Sequence, residues 1–229
     1  DRENARDISN KIAAQSGESL NEVQANDLFT FFGQLVDHDL DLALDNPGEI
    51  VNIPVPGDDP QFGPGGENPL ATLTFRRSGV MSGTGDDYPR EHANVITSFL
   101  DSSNIYGSHA DMTKLLRAGG GTGAKLLVSD GDNLPTRGQL MAEHPAMNPN
   151  NVGGMPIVAG PPNPDAQVAG DIRAPENIAL TSVHTIWMRE HNFHVDRLEG
   201  LHPEWSDEQT FQAAGVIVEA EMQRVIYKE

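Results

Sequence analysis

Residues 33–39, with the sequence GQLVDHD, combine side chains that could carry out acid–base chemistry within two helical turns. His38 lies between the carboxylates of Asp37 and Asp39, and Gln34 precedes it by four residues. Residues four apart share one face of a helix, so Gln34 and His38 should point the same way. Apolar residues flank the segment, and burying two acids beside an imidazole is costly unless a ligand or cation compensates them. The segment therefore indicates a functional site, although a solvated acidic face near a helix end is the other reading.

A second group occupies the alternate positions 97, 99, 101 and 103. Thr97, Asp101 and Ser103 carry side-chain oxygens, and Phe99 lies between them. In an extended segment alternate residues face one way, so two hydroxyls and a carboxylate would converge. Calcium takes six to eight oxygen ligands of mixed type. Taken alone, a polar turn is the better explanation, whereas an additional carboxylate from Asp39 would favour a cation site.

A third group combines Arg173 with Glu176, three residues later, ahead of a predicted helix. An exposed pair of this kind is worth under about 1 kcal/mol and is common at helix starts. If Arg173 instead faces His38 from a buried position, it would act as an electrostatic catalyst.

The helix predicted after Glu176 carries three histidines near one face, His184, His191 and His194. Such spacing can bind zinc. Polar or hydrogen-bonded histidines in a helix interface are the more probable explanation.

The elements that would position these groups are mainly helical. A capping-box pattern at residues 19–22 predicts a helix from about 21 to 44, and proline and glycine then predict irregular structure over 45–92 with a short strand at 70–76. Further along we expect a short helix at 108–117, followed by loops with brief strands over 122–170. A long helix then has Pro175 in its first turn and Gly200 as its stop. A last helix follows a capping box at 206–209.

Composition limits the function classes. The formal net charge of the 229-residue chain is −19, which disfavours binding to nucleic acids and to anionic membrane surfaces. The absence of cysteine excludes disulfides, thiolate zinc sites, thiolate-ligated haem and iron–sulfur clusters. No apolar stretch approaches the length of a transmembrane segment.

Three motifs together resemble the animal haem peroxidase family. Residues 32–41 (FGQLVDHDLD) resemble the family's distal helix, residues 97–107 (TSFLDSSNIYG) its calcium loop, and residues 169–176 (AGDIRAPE) with 180–192 (LTSVHTIWMREHN) the segment of the catalytic arginine. The resemblance implies a mainly α haem-peroxidase helical domain with long irregular loops and few short strands. Residues 1–229 would form the N-terminal part of one such domain.

The resemblance also implies roles for individual residues. The catalytic residues would be His38, Arg173 and Gln34. The haem b cofactor would meet Asp37 and Glu176, where the family forms ester bonds to haem methyl groups. A calcium ion would be held by Asp39, Thr97, Phe99 through its carbonyl, Asp101 and Ser103.

The implied activity is reduction of hydrogen peroxide with oxidation of halide, thiocyanate or an aromatic donor, in an extracellular protein. Asn177 stands where some members carry a methionine bonded to a haem vinyl group, so that link is not expected. The family's proximal histidine, which ligates the iron, would fall beyond Glu229. The remainder of the peroxidase domain is therefore an expected partner, and the chain is expected to be incomplete at its C-terminus.

Three other functions stay open at the level of sequence. A fatty-acid dioxygenase of the same superfamily would need a radical tyrosine near the proximal side, and Tyr88, Tyr106 and Tyr227 do not stand in that context. Without a proximal ligand, the chain could be a catalytically inactive calcium-binding or adhesive fragment. A zinc enzyme built on the three helical histidines is the most distant alternative.

Overall fold

The computed structural model describes residues 2–228, with 40% of the chain in helices and 11% in strands. This confirms the predicted mainly α fold. Backbone contacts divide the chain into two compact units. One unit contains Asp1–Ala25 and Ala43–Val95, and the other contains Asn26–Leu42 and Ile96–Glu229.

The first unit contains one helix and a two-stranded antiparallel sheet. Its elements are α1 (Ala5–Ala13), β1 (Asp45–Pro54) and β2 (Thr72–Ser78). The strands pair Ile50 with Arg76 and Pro54 with Thr72, and their register is irregular between Asp45 and Ile50. Strand β1 lies where only irregular structure was predicted, while β2 begins two residues after the predicted strand. Prolines at both ends of this strand region obscured its pattern in the sequence.

A buried carboxylate stabilises the first unit. Asp59 accepts hydrogen bonds from Arg6 Nε at 2.6 Å and Asn10 Nδ2 at 2.8 Å, and from the backbone amides of Gln61 and Phe62. The hydrogen bond from Arg6 is the main cause that holds the pKa of Asp59 well below its ordinary value. These bonds join α1 to the loop that follows β1.

The second unit contains the seven remaining helices of the described chain. They are α2 (Leu28–Leu40), α3 (Ser103–Tyr106), α4 (Ala110–Leu116), α5 (Ala118–Gly121), α6 (Arg137–Glu143), α7 (Ile178–Leu201) and α8 (Asp207–Lys228). Helix α7 packs against both α2 and α8. Leu35, Leu180, Val218 and Met222, which these helices contribute, are almost fully buried. This core holds the face of α2 that carries His38.

The predicted start of α2 at residue 21 is wrong, because α2 begins at Leu28. The amide side chain of Asn21 accepts a hydrogen bond from Ala25 N, and that of Asn26 accepts one from Leu28 N. Asparagine side chains that bond to nearby backbone groups favour turns over helix, which accounts for the late start. The helix also ends earlier than predicted, because Asp41 is already extended.

Helix α7 begins at Ile178, after the predicted start at Pro175, and Asn177 is its N-cap. It continues through Gly200 to Leu201, so the predicted stop is wrong by one residue. Helix α6 was not predicted. The capping box before α8 is confirmed, since Ser206 Oγ accepts from Gln209 N and Gln209 Oε1 accepts from Ser206 N.

Candidate active site

His38 lies on the buried face of α2, close to its C-terminal end. The residue is 4% exposed, and Leu35 on the same face is fully buried. Its Nδ1 atom has no hydrogen-bond partner among residues 2–228, and it lies 3.9 Å from Asp171 Oδ1. The helical pattern therefore correctly placed this imidazole towards the interior.

Arg173 is held by a carboxylate two residues before it. Asp171 Oδ1 accepts hydrogen bonds from the backbone N and the Nε of Arg173, both at 2.8 Å, and Oδ2 accepts one from Nη2 at 2.9 Å. The same Nη2 donates to Asp41 O at 2.9 Å, directly after α2. The guanidinium is thereby fixed at several points beside the end of the helix that carries His38.

Asp171 was not predicted as a site residue, although it lies in the motif at residues 169–176. Its side chain is 2% exposed, binds Arg173 Nε at 2.8 Å and lies 3.9 Å from His38 Nδ1. The available signal was a carboxylate two residues before a functional arginine, a spacing at which one acid can bind both the backbone and the guanidinium. The predicted meeting of His38 and Arg173 thus occurs around a third, unpredicted group.

Gln34 joins α2 to the segment that precedes α7. Its Nε2 donates to Glu176 Oε2 at 2.9 Å, and its Oε1 accepts from Asn177 Nδ2 at 3.1 Å. Because Asn177 Oδ1 also accepts from Leu180 N, one asparagine caps α7 and orients Gln34. This second function of Asn177 was not predicted from the sequence.

The charges around His38 act on its pKa in opposite directions. Burial is the largest cause and lowers the pKa, and the positive charge of Arg173 lowers it further. The carboxylates of Asp171, Glu176 and Asp37 raise it, but the net pKa stays below the ordinary value. A neutral imidazole at neutral pH is therefore favoured, which leaves it able to accept a proton.

Two of these acids are more accessible than His38. Asp37 and Glu176 are exposed, whereas His38 and Asp171 are buried. The arrangement places two exposed carboxylates near a buried imidazole whose Nδ1 has no hydrogen-bond partner among the described residues.

The carboxylate of Asp39 binds the loop at residues 102–104. Asp39 is fully buried; its Oδ2 accepts from Ser102 N at 3.0 Å, and its Oδ1 accepts from Asn104 N and Ser103 Oγ, both at 3.1 Å. Burial raises the pKa of Asp39, opposed by these hydrogen bonds, and the nearby charge of Asp101 raises it further. A cation beside the two acids would relieve this penalty.

The predicted calcium residues form a continuous set of oxygen contacts. Thr97 Oγ1 lies 3.0 Å from Asp101 Oδ1 and 2.9 Å from Ser103 Oγ, which in turn lies 3.1 Å from Asp39 Oδ1. Two carboxylates and two hydroxyls at these separations fit the first coordination shell of a hard cation. The phenyl ring of Phe99 has no oxygen to offer, so only its backbone carbonyl is suited to ligation.

The three histidines of α7 do not form a common ligand group among the described residues. His191 Nε2 lies 3.0 Å from Ala124 O and its Nδ1 lies 3.0 Å from Tyr106 Oη, while burial lowers the pKa of His191 to about 4. His184 is 1% exposed and lines a small apolar cavity. The geometry favours core histidines over the zinc enzyme considered from the sequence.

The sequence matches the family model described as animal haem peroxidase over residues 1–229. Lactoperoxidase from Mesocricetus auratus is 30% identical over an alignment of 255 positions, which includes 98% of this chain and 33% of that protein. Peroxinectin A from Dictyostelium discoideum is 29% identical over 98% of this chain and 42% of its own length. The chain thus spans a third to two fifths of the length of these relatives.

Solved structures share the fold. Peroxidase A from Dictyostelium discoideum superposes with a TM-score of 0.77 at 27% identity, covering 99% of this chain and 44% of that one. A fatty acid alpha-dioxygenase from Oryza sativa superposes with a TM-score of 0.68 at 21% identity, over 96% of this chain and 30% of its own, a likeness that shows the fold alone. Over the described residues, no helix has the length and apolar character needed to cross a membrane. By the match along its whole length, the chain belongs to the animal haem peroxidase family.

Proposed function

We propose that residues 1–229 form the N-terminal part of one haem peroxidase domain and supply the distal side of its peroxide-binding pocket. The observation that carries the proposal is the approach of Asp171 to both His38 and Arg173. A buried imidazole, whose pKa is lowered by burial, thereby lies near a guanidinium whose orientation is fixed. These are the two groups that heterolytic cleavage of an O–O bond requires, a base and a stabiliser of negative charge.

The donor set around His38 fits haem b, with Asp37 and Glu176 as the side chains that would hold its edge, through ester bonds or as free carboxylates. When bound, haem supplies the redox chemistry of peroxide reduction and donor oxidation, while the protein supplies orientation and electrostatics. The iron's proximal histidine would come from the remainder of the domain, which lies outside this chain.

His38 would take a proton from one oxygen of hydrogen peroxide and return it to the other oxygen, which leaves as water. Positioned acid–base catalysis of this kind contributes about 10²–10⁴-fold. Arg173 would donate hydrogen bonds to the oxygen on which negative charge develops. Gln34, held by Glu176 and Asn177, would orient peroxide, water or a small anion beside His38.

We further propose that Asp39, Asp101, Thr97, Ser103 and the carbonyl of Phe99 bind calcium. The contacts of 2.9–3.1 Å between the side-chain oxygens of this set support the assignment. Since Asp39 directly follows His38, the ion would hold the end of α2 against the loop at 97–103. Calcium would therefore also restrict the position of the catalytic imidazole.

Replacement of His38 in the full-length haem-containing protein tests the catalytic assignment. His38→Ala should slow the reaction with hydrogen peroxide by about 10²–10⁴-fold, while the Soret band and the melting temperature change little. His109→Ala, at a half-exposed histidine at the start of α4, serves as the matched control and should react at the wild-type rate. A His38→Ala protein that cleaves peroxide at the wild-type rate would show that the assignment is wrong.

A second candidate is oxygenation of a fatty acid, the activity named for solved structures that share the fold. The full-length protein should be assayed with peroxide and guaiacol, bromide or thiocyanate, and separately with linoleate and oxygen. Turnover of the first set supports the peroxidase, and turnover of linoleate alone supports the dioxygenase.

A purified full-length protein that binds calcium but has no Soret band would instead be an inactive binding or adhesive module. An extracellular location stays a prediction.

A further inference from the structure

Helices α7 and α8 bring three metal-ligating side chains together far from the proposed peroxide pocket. Glu190 and His194 lie four residues apart on one face of α7, and Glu221 faces them from α8. At 1.5 Å per residue, His194 lies about 25 Å along the helix from the N-cap Asn177. The peroxide chemistry described above uses none of these three groups.

The three side chains converge on a single atom. His194 Nε2 lies 3.1 and 3.2 Å from the two carboxylate oxygens of Glu221 and 3.2 Å from Glu190 Oε1. The ligand atoms of the three residues all lie within 4.8 Å of one another. The imidazole is 8% exposed, while Glu190 and Glu221 are 38% and 39% exposed.

Two carboxylates concentrate negative charge beside the ring nitrogen, so the geometry favours a cation among the three side chains. Nε2 of a neutral imidazole has at most one proton to donate, and two carboxylates so close to one another repel. The observed contacts of 3.1–3.2 Å lie at the long end of the ordinary N–H···O range and are longer than the roughly 2.7–2.9 Å typical of charge-assisted bonds. Nitrogen and oxygen ligands about 2.0–2.2 Å from a tetrahedral zinc ion lie about 3.3–3.6 Å apart, so the observed edges approach those of a zinc site.

We propose that His194, Glu190 and Glu221 form a site for a divalent transition-metal ion, with Zn²⁺ as the best fit. One imidazole and two carboxylates suit zinc better than calcium or magnesium, which take oxygen ligands almost exclusively. The half-exposed carboxylates leave a fourth position open to solvent. The bound ion would connect α7 to α8 and so stabilise the packing of the two longest helices.

The competing explanation is a proton shared among the same groups, with a charged imidazole between two glutamates. It predicts the same contacts but no affinity for metal. Metal binding by the full-length, haem-containing and calcium-saturated protein distinguishes the two explanations. Zn²⁺ should be titrated calorimetrically after treatment with a zinc chelator, and the zinc-edge X-ray absorption of the complex should report nitrogen and oxygen neighbours without interference from haem.

We expect one zinc ion to bind per chain at this site and to raise the melting temperature. Glu190→Gln and His194→Gln should each raise the dissociation constant at least about tenfold, because even the loss of an outer-shell partner costs about 10–100-fold. His202→Gln is the matched control, since His202 is an exposed histidine with one acidic neighbour, Glu204, at 3.4 Å, and it should leave zinc affinity unchanged.

Absence of zinc binding by the wild-type protein would overturn the proposal, as would an equal loss of affinity in all three variants. If His194→Gln fails to fold, Glu190→Gln decides the question, because its side chain is partly exposed and the substitution keeps its shape. Zinc affinity unchanged in Glu190→Gln would also overturn the three-ligand site.

Discussion

The carboxylate of Asp171 binds the guanidinium of Arg173 through Nε at 2.8 Å and Nη2 at 2.9 Å, and also accepts a hydrogen bond from the backbone N of Arg173. A planar guanidinium held by both carboxylate oxygens has a defined direction as well as a defined position. Since Asp171 Oδ1 also lies 3.9 Å from His38 Nδ1, one acid relates the two proposed catalytic groups. The Asp171–Arg173 pair therefore both stabilises the segment before α7 and positions Arg173 for the proposed reaction.

Asp171→Asn should loosen Arg173 and slow the peroxide reaction by about tenfold or more, as a small misplacement of a catalytic group can. Loss of hydrogen bonds to a charged group should also lower the free energy of unfolding by about 1.5–3 kcal/mol. Stopped-flow measurement of the peroxide reaction and thermal denaturation of the full-length protein report the two effects.

The exposed Asp165 provides the control, and Asp165→Asn should change neither quantity. In an Arg173→Lys background, which lacks the two-point pairing, Asp171→Asn should have a much smaller effect on the rate. Equal effects of Asp171→Asn in both backgrounds would contradict a positioning role for this acid.

Calcium removal should lower the melting temperature of the full-length protein. The ion would compensate the acids of Asp39 and Asp101, and calcium at about a hundred times its dissociation constant stabilises a protein by about 2.7 kcal/mol. Asp101→Asn should weaken calcium binding, so that the melting temperature of this variant hardly responds to chelation. Differential scanning calorimetry with and without a calcium chelator measures the effect.

Asp111→Asn is the control for the calcium prediction, because Asp111 is an exposed acid on α4, close in sequence to the same loop. It should respond to chelation as the wild-type protein does. A wild-type melting temperature that is unaffected by chelation would contradict the coupling between the ion and α2.

Much of the candidate site could be predicted from the sequence because its groups lie in short contiguous motifs. The buried direction of His38 follows from helical periodicity, and the approach of Asp39 to Ser103 follows from recognising both motifs as parts of one site. Asp171 was missed because its spacing from Arg173 permits the pairing but does not by itself show that the acid is buried beside His38. Only the tertiary approach of α2 to the segment before α7 reveals its proximity to His38.

The errors in the fold have a similar cause. Asn21 and Asn26 make local side-chain to backbone bonds that override the capping pattern at residues 19–22 and delay α2. Strand β1 contains Pro47 and Gly48, residues that signal irregular structure, and they lie in the register irregularity between Asp45 and Ile50, while pairing with β2 holds the rest of the strand. The two long helices were predicted better because their length and caps are encoded locally.

The side chain of Asn177 should be more important than an ordinary helix cap. Loss of a cap costs about 1 kcal/mol, and Asn177→Ala should cost more because it also removes the donor to Gln34 at 3.1 Å. Asn177→Asp should keep the cap, lose the donor and place a negative charge near Glu176. Thr136→Ala, which removes only the cap of α6, gives the reference value by thermal denaturation. Equal losses in Asn177→Ala and Thr136→Ala would mean that the contact with Gln34 contributes nothing.

His184 should make the protein less stable in acid. Burial lowers its pKa to about 3, and both ring nitrogens lack hydrogen-bond partners within the described chain. Because the unfolded chain binds a proton below about pH 6.5 while the folded protein does not, the stability contributed by neutral His184 is lost as the pH falls from 6.5 towards 3. His184 should lower the free energy of unfolding by about 2 kcal/mol at pH 5 relative to pH 7.

His184→Leu should remove this acid sensitivity, because leucine suits the apolar cavity lined by Ile105, Val168 and Met188 and has no proton to gain. The melting temperature of the variant should therefore exceed that of the wild-type protein at pH 5 by more than it does at pH 7. His202→Gln, at an exposed histidine, should leave the pH dependence as it is. Parallel pH profiles for His184→Leu and the wild-type protein would mean that His184 is protonated alike in the folded and unfolded chain, and its burial would then need a compensating partner.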